Sequence, residues 1–90
     1  MKVKIPAQLR TLTGGQSEVI IDGAVTVKEL LDKVGAAHPE LTARLLDDNG
    51  EIRRFVNIYV GDEDVRFLDG LNTNLEGHTQ VSILPAVAGG

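Results

Sequence analysis

The sequence has no cysteine and few aromatic or basic residues. Without cysteine the chain has no disulfide, thiol nucleophile or thiolate metal site. Its three aromatic residues, Phe55, Tyr59 and Phe67, are too few to build a stacking platform for nucleic-acid bases. Nine basic against thirteen acidic residues give a formal net charge of −4, the wrong sign for binding a phosphate backbone. We therefore expect no nucleic-acid partner.

Long apolar runs are also missing. No run approaches the ~18 residues of a membrane-spanning helix, and residues 1–4 lack the apolar segment of a signal peptide. We therefore expect no membrane partner and a cytoplasmic location. Ninety residues predict a single domain, 1–90, with a core but little room for an internal active site.

The N-terminal part of the sequence predicts a β-hairpin. Residues 2–7 alternate polar and apolar side chains, which indicates a half-buried strand with Val3 and Ile5 facing the core. Residues 13–15 include paired glycines and predict a turn. Residues 17–22 then form the returning strand.

Two helices are predicted next. Thr26 and Glu29 have the spacing of a capping box, and Gly35 is expected to end the first helix or weaken it. A second, short helix is expected to start at Pro39 and to end at the turn formed by residues 47–50. The expected core residues of the two helices are Val27, Leu30, Leu31, Val34, Leu41, Leu45 and Leu46.

Three strands are predicted in the C-terminal half. Residues 52–60 form the strongest strand, residues 65–67 a short edge strand and residues 79–84 the last strand. Residues 68–77 are rich in Gly, Asn and Asp and are expected to form a loop with one turn of 3₁₀ helix.

The order β-β-α-β-β-β predicts an α+β domain in which one main helix packs on one face of a mixed sheet of about five strands. This is the β-grasp arrangement of ubiquitin-like proteins, with the first and last strands parallel and central. The other face stays open, and Phe55, Tyr59 and Leu84 are candidate partner contacts on it. The alternative is that these side chains simply cover a thin core.

No constellation of catalytic or metal-binding residues is visible. Residues 62–64 are acidic but lack the spacing of a calcium loop, and His38 and His78 have no ligand pattern around them. Ser17 and Ser82 lack a recognisable base. We therefore expect no enzyme activity, no metal site and no cofactor bound by this chain.

The sequence ends in a tail of small residues, 85–90, which we expect to be flexible. Gly89 and Gly90 have no side chains, so their backbone could enter a channel that a Cβ would block. Five residues beyond the last strand would reach ~15 Å. The alternative is a frayed end that happens to finish in glycine.

Residues 54–67 and 83–90 resemble the prokaryotic ubiquitin-like sulfur carriers of the MoaD/ThiS family, and the resemblance covers essentially the whole chain. These carriers include the small subunit of molybdopterin synthase, the thiazole-synthesis carrier and a carrier for cysteine synthesis. The two stretches are most similar to the cysteine-synthesis branch.

The resemblance implies that the chain is a protein co-substrate rather than an enzyme. An E1-like adenylyltransferase and sulfurtransferase would use ATP and Mg²⁺ to convert the Gly90 carboxylate to a thiocarboxylate. A PLP-dependent cysteine synthase that accepts O-phosphoserine would consume the sulfur, and a metallopeptidase would release the product. Val87, Ala88 and Gly89 would be recognised by these partners, and the free chain would be a monomer.

Several alternatives stay open. The chain could serve molybdopterin or thiazole synthesis, because the tail alone does not separate these branches. It could be a protein modifier that is conjugated to lysines through Gly90. It could also be a noncovalent β-grasp binding module whose glycine tail is incidental.

Overall fold

The computed structural model describes residues 1–85, which form one sheet, two α-helices and three 3₁₀ helices. The strands of this part are β1 (Lys2–Lys4), β2 (Glu18–Ile20), β3 (Val56–Val60), β4 (Glu63–Asp64) and β5 (Gln80–Pro85). The α-helices are α1 (Val27–Ala37) and α2 (Pro39–Leu45), and the 3₁₀ helices are Ala7–Thr13, Val65–Phe67 and Gly70–Asn72. Among residues 1–85, no helix is both long enough and apolar enough to cross a membrane.

The sheet has the order β2-β1-β5-β3-β4. β1 and β5 are parallel neighbours, and every other pair is antiparallel. The first and last strands are therefore adjacent and central, which confirms the predicted α+β, β-grasp arrangement. Val3 pairs with Val81, and Ile58 pairs with Ile83, so apolar side chains from the three inner strands meet on one face.

The helices cover that face. Thr26 caps α1 as predicted, because its hydroxyl accepts from the backbone N–H of Glu29 while the Glu29 carboxylate accepts from the N–H of Thr26. Pro39 occupies the first turn of α2, also as predicted. The core lies between helices and sheet, and its fully buried members include Val3, Leu30, Leu31, Val34, Leu41, Leu45, Ile58, Val81 and Ile83.

Gly35 is the first correction. The sequence predicts that Gly35 ends or weakens the first helix, but α1 does not end there and continues to Ala37. A Cβ at Gly35 would lie 2.8 Å from Oγ1 and 3.3 Å from Cβ of Thr42 in α2. The glycine therefore lets α2 pack closely against α1, and this close approach is a more specific role than helix termination.

The predicted edge strand at residues 65–67 is the second correction. The edge strand is Glu63–Asp64, and Val65–Phe67 is a 3₁₀ helix. The reason is local, because the Asp64 carboxylate accepts a hydrogen bond from the backbone N–H of Arg66 at 2.8 Å and caps the helical turn. The predicted 3₁₀ turn in the following loop is confirmed at Gly70–Asn72.

Three predicted strands are shorter than expected, and β2 covers only Glu18–Ile20 of the predicted residues 17–22. β1 ends at Lys4, and Pro6 then precedes the 3₁₀ helix Ala7–Thr13, which the sequence analysis missed. β3 begins at Val56 rather than at residue 52, since residues 53–56 turn through a hydrogen bond from the N–H of Val56 to the carbonyl of Arg53. The predicted turn at residues 13–15 is confirmed, with Gly14 in the left-handed region.

Candidate functional site

The candidate site is the end of β5, the strand that residues 86–90 follow in the sequence. β5 lies between β1 and β3, so both of its edges are hydrogen-bonded. Val81 and Ile83 are buried against the helices, and Leu84 points to the open face with 46% of its surface exposed. Two neighbouring strands and a buried side chain therefore hold the base of the tail in place.

Pro85, which the sequence analysis assigned to the tail, is the last residue of β5 and pairs with Val56. Proline has no backbone N–H to donate, and it fits this position because the last residue of a strand does not need that donor. The predicted tail contacts Val87, Ala88 and Gly89 and the reacting residue Gly90 lie outside the described residues.

The open face near this strand end is amphiphilic. Lys4, Ser82 and Tyr59 lie in one row across β1, β5 and β3. Leu84 lies in the next row, where it pairs with Asn57. Tyr59 is half-buried, and it is one row away from Leu84, so the structure brings these two predicted contacts close together.

Phe55 is placed differently from the prediction. The sequence pattern predicts Phe55 on the same strand as Tyr59, but Phe55 precedes β3 and lies in the turn before Val56. Since Val56 pairs with Pro85, Phe55 lies at the end of the sheet where β5 stops. Its side chain is 57% exposed. Phe55 and Leu84 are thus exposed apolar residues close to the point where the tail begins.

Arg66 lies near this strand end and is not among the residues predicted for the site. Its guanidinium donates to Asn57 Oδ1 at 2.7 Å and to the carbonyl oxygen of Arg53 at 2.8 Å, which places it beside β3 on the open face. The signal that could have found it is the pair Asp64 and Arg66, whose spacing suits a capped turn rather than a strand.

A shallow hollow lies on the opposite side of Leu84. Lys4, Arg10 and Glu18 contribute charged side chains to it, and Leu84 forms part of its wall. Arg10 is held there by a hydrogen bond from its Nε to the carbonyl oxygen of Ile5 at 3.1 Å. The strand end therefore has basic side chains on both sides.

The histidines and acidic residues are not assembled into a site. His78 is exposed, and His38 is half-buried at the junction of α1 and α2. Asp64 acts as a helix cap, as described above. In residues 1–85 no three His, Cys, Asp or Glu side chains are grouped so that they could hold a metal ion.

Comparison with known proteins identifies relatives over the full length of the chain. Residues 3–90 match the ThiS family. The sulfur carrier protein CysO of Mycobacterium tuberculosis is 47% identical over 90 residues, which cover 98% of this chain and 96% of CysO. The small archaeal modifier protein 1 of Haloferax volcanii is 30% identical over 91 residues, which cover all of both chains.

A solved structure agrees with the sequence comparison. A chain in the crystal structure of the BexX/CysO complex of Amycolatopsis orientalis is 47% identical and superimposes with a TM-score of 0.87, with 99% of this chain and 98% of that chain covered. The match includes the central parallel pair of strands and the helices packed on one face of the sheet. In sequence and in fold, this chain belongs to the ThiS family.

Proposed function

We propose that this chain is a sulfur carrier protein whose Gly90 carboxylate is adenylated and then converted to a thiocarboxylate. The observation that supports the proposal most directly is the full-length similarity to CysO, at 47% identity. The placement of β5 is consistent with it, since a doubly paired central strand leads directly into residues 86–90. The chain would act as a co-substrate, and its partners would supply the catalysis.

The chemistry requires an external activating enzyme. A carboxylate is a poor electrophile, so ATP first transfers its adenylyl group to a carboxylate oxygen of Gly90, and pyrophosphate leaves. A sulfur nucleophile then attacks the carbonyl carbon, the C–S bond forms, and AMP departs with the electron pair of the broken C–O bond. Attachment to a tail keeps the reactive sulfur at high local concentration in the partner's active site.

The cysteine branch is the proposed destination of the sulfur. CysO of Mycobacterium tuberculosis is named as a sulfur carrier, and the similarity to it extends over 98% of this chain. The proposed consumer is a PLP-dependent cysteine synthase that uses O-phosphoserine, and a metallopeptidase would release cysteine and regenerate Gly90. Molybdopterin and thiazole synthesis are the alternatives within the same chemistry.

The open face is the proposed docking surface for these partners. Phe55, Tyr59 and Leu84 lie at or near the end of β5, the strand that precedes residues 86–90. The CysO of Amycolatopsis orientalis forms a complex with BexX, so a relative of the same fold docks on another protein. A partner that covers Phe55 and Leu84 would bury apolar surface and direct the tail into its active site.

Protein modification is the second candidate function. It is supported by the 30% identity to small archaeal modifier protein 1 of Haloferax volcanii. Both functions start from the same adenylated glycine, and they differ in the nucleophile. Sulfur gives a thiocarboxylate, whereas the amine of a lysine gives an isopeptide bond.

The intact mass of the chain, purified without a C-terminal tag from its native cells, tests the proposal. We expect a species in which one oxygen is replaced by sulfur and which an alkylating reagent shifts. A species heavier by one cysteine residue would select the cysteine branch. The unmodified mass alone, together with lysine-linked conjugates of high mass, would overturn the carrier proposal in favour of modification.

A variant sharpens this experiment. Gly89→Val adds a side chain to the segment that must enter the activating enzyme, so we expect loss of the thiocarboxylate without loss of fold. Ala36→Val is the matched control, because it adds a similar side chain at an exposed position of α1. Normal thiocarboxylate on the Gly89→Val protein would contradict the channel argument.

A further inference from the structure

The Arg66 side chain is held in one position on the open face. Two of its N–H groups are used, one by Asn57 Oδ1 at 2.7 Å and one by the carbonyl oxygen of Arg53 at 2.8 Å. A guanidinium carries five N–H donors in a rigid plane. Three donors therefore remain available, on a side chain whose conformation is already fixed although the residue is exposed.

No carboxylate in the described part of the chain neutralises this guanidinium. The ion pairs formed among residues 1–85 are Lys2 with Glu18 at 3.3 Å and Lys28 with Asp32 at 3.2 Å. The nearby Asp64 carboxylate instead accepts from the backbone N–H of Arg66. Arg66 is thus an ordered cation that lacks an anionic partner within residues 1–85.

The position of Arg66 relates it to the tail. Asn57, which anchors the guanidinium, pairs directly with Leu84 across β3 and β5. The side chain that follows Arg66 is Phe67, which is 86% exposed. An ordered cation and an exposed aromatic residue are therefore sequence neighbours in the 3₁₀ helix Val65–Phe67.

The charge of this region differs from that of the chain as a whole. The formal net charge is −4, yet Arg66 lies on one side of Leu84, and Lys4, Arg10 and Glu18 line the hollow on the other, so three of these four charged side chains are basic. A surface that is locally basic on an acidic protein favours a partner that is locally acidic. Because Arg66 is already ordered, binding a carboxylate there would require little further loss of side-chain entropy.

We propose that Arg66 binds a carboxylate of the protein that activates the tail, and that this contact fixes the direction in which β5 delivers Gly90. The inference rests on the proposed function and adds to it a recognition residue outside the tail and the charge of the partner surface. The bond is a charge-assisted N–H···O contact, for which the planar guanidinium is better suited than an ammonium group.

The test measures how fast the thiocarboxylate forms. Purified variants are incubated with ATP, Mg²⁺, sulfide and a desalted extract of native cells that lack this chain, and conversion is followed by intact mass at several carrier concentrations. We expect Arg66→Gln to lower the rate at limiting carrier about tenfold at low salt. The loss should shrink near ~0.5 M NaCl, where exposed charges are screened. Arg66→Lys should lose less, about threefold, because it keeps the charge without the planar fork.

The matched control is Lys28→Gln, which removes one positive charge from the exposed surface of α1. Thermal unfolding of each variant shows whether the fold is retained, and Arg66→Lys provides a conservative replacement if Arg66→Gln is unstable.

Equal rates for Arg66→Gln and Lys28→Gln would overturn the inference and leave the proposed function intact. Faster conversion of Arg66→Gln would also overturn it, since Arg66 would then be restraining the chain's own terminal carboxylate. Absence of thiocarboxylate on the unaltered chain would overturn both proposals.

Discussion

The two faces of the sheet are built from the same strands but differ in how far their side chains are exposed to solvent. On the face covered by α1 and α2, the side chains of Val3, Ile58, Val81 and Ile83 are at most 1% exposed. On the open face, Lys4, Tyr59, Ser82 and Leu84 are half-buried or exposed. Because successive side chains of a strand point to opposite faces, each strand contributes to both. Substitutions on one face should therefore change stability, and substitutions on the other should change recognition.

Residues 83 and 84 give the sharpest form of this comparison. They are adjacent in β5 and have side chains of equal size, but Ile83 is 1% exposed and Leu84 is 46% exposed. We expect Ile83→Ala to lower the free energy of unfolding by ~3 kcal/mol, because it leaves a cavity in the core. Leu84→Ala should lower it by less than ~1 kcal/mol.

Urea denaturation of both variants measures these values, and the thiocarboxylate assay measures recognition. Leu84→Ala should slow conversion although the protein stays folded. Equal losses of stability for the two variants would show that the open face is part of the core, and the separation of the two faces would then be wrong.

A substitution at the contact between α1 and α2 provides a second test of the covered face. Gly35→Ala should improve helix propensity by ~1 kcal/mol. The added Cβ would, however, lie 2.8 Å from Thr42 Oγ1 and 3.3 Å from Thr42 Cβ, so one helix must shift. We expect the overpacking to outweigh the propensity gain and to give a net destabilisation of ~1 kcal/mol.

A second substitution identifies the cause. Thr42→Ala removes the Oγ1 that the new Cβ meets, so the double variant Gly35→Ala/Thr42→Ala should recover stability relative to the sum of the single changes. Strict additivity in a double-mutant cycle by chemical denaturation would show that the contact is not responsible.

The last of these expected effects concerns the start of α1. Thr26→Ala removes the hydroxyl that accepts from the N–H of Glu29, and we expect a loss of ~1 kcal/mol in the free energy of unfolding. Thr11→Ala, at an exposed position of the first 3₁₀ helix, is the control and should change it by less than ~0.5 kcal/mol. Thermal unfolding of the two variants compares them, and equal shifts would argue against the capping bond.

Much of the fold could be predicted because local sequence patterns specify it. The capping box at Thr26, the apolar face of α1 and the alternation of β5 are each set by residues within a few positions of one another. The order of these elements then restricts the chain to few topologies, and the predicted β-grasp sheet is confirmed. The candidate tail was visible for the same reason, since its composition is local.

The errors arose where distant residues decide the outcome. Gly35 has the composition of a helix end, but its role depends on Thr42 in another helix. The start of β3 is a different case, because the chain turns before Val56 through a hydrogen bond between residues three positions apart, which the alternation that includes Phe55 does not reveal. The register of β5 with β3 brings Leu84 beside Asn57 and hence close to Arg66, and no local pattern specifies that register.

The sequence by itself therefore determined most of the elements, the cap of α1, the alternation that gives the sheet two unlike faces, and the small-residue tail. Only the tertiary structure decided the close approach of α2 to Gly35, the contacts of the Arg66 guanidinium with Asn57 and the Arg53 carbonyl, and the basic side chains on both sides of the end of β5. The physical reason is the separation in sequence between the residues that interact. Periodicity and capping act between residues a few positions apart, whereas packing and strand register join residues that only the folded chain brings together.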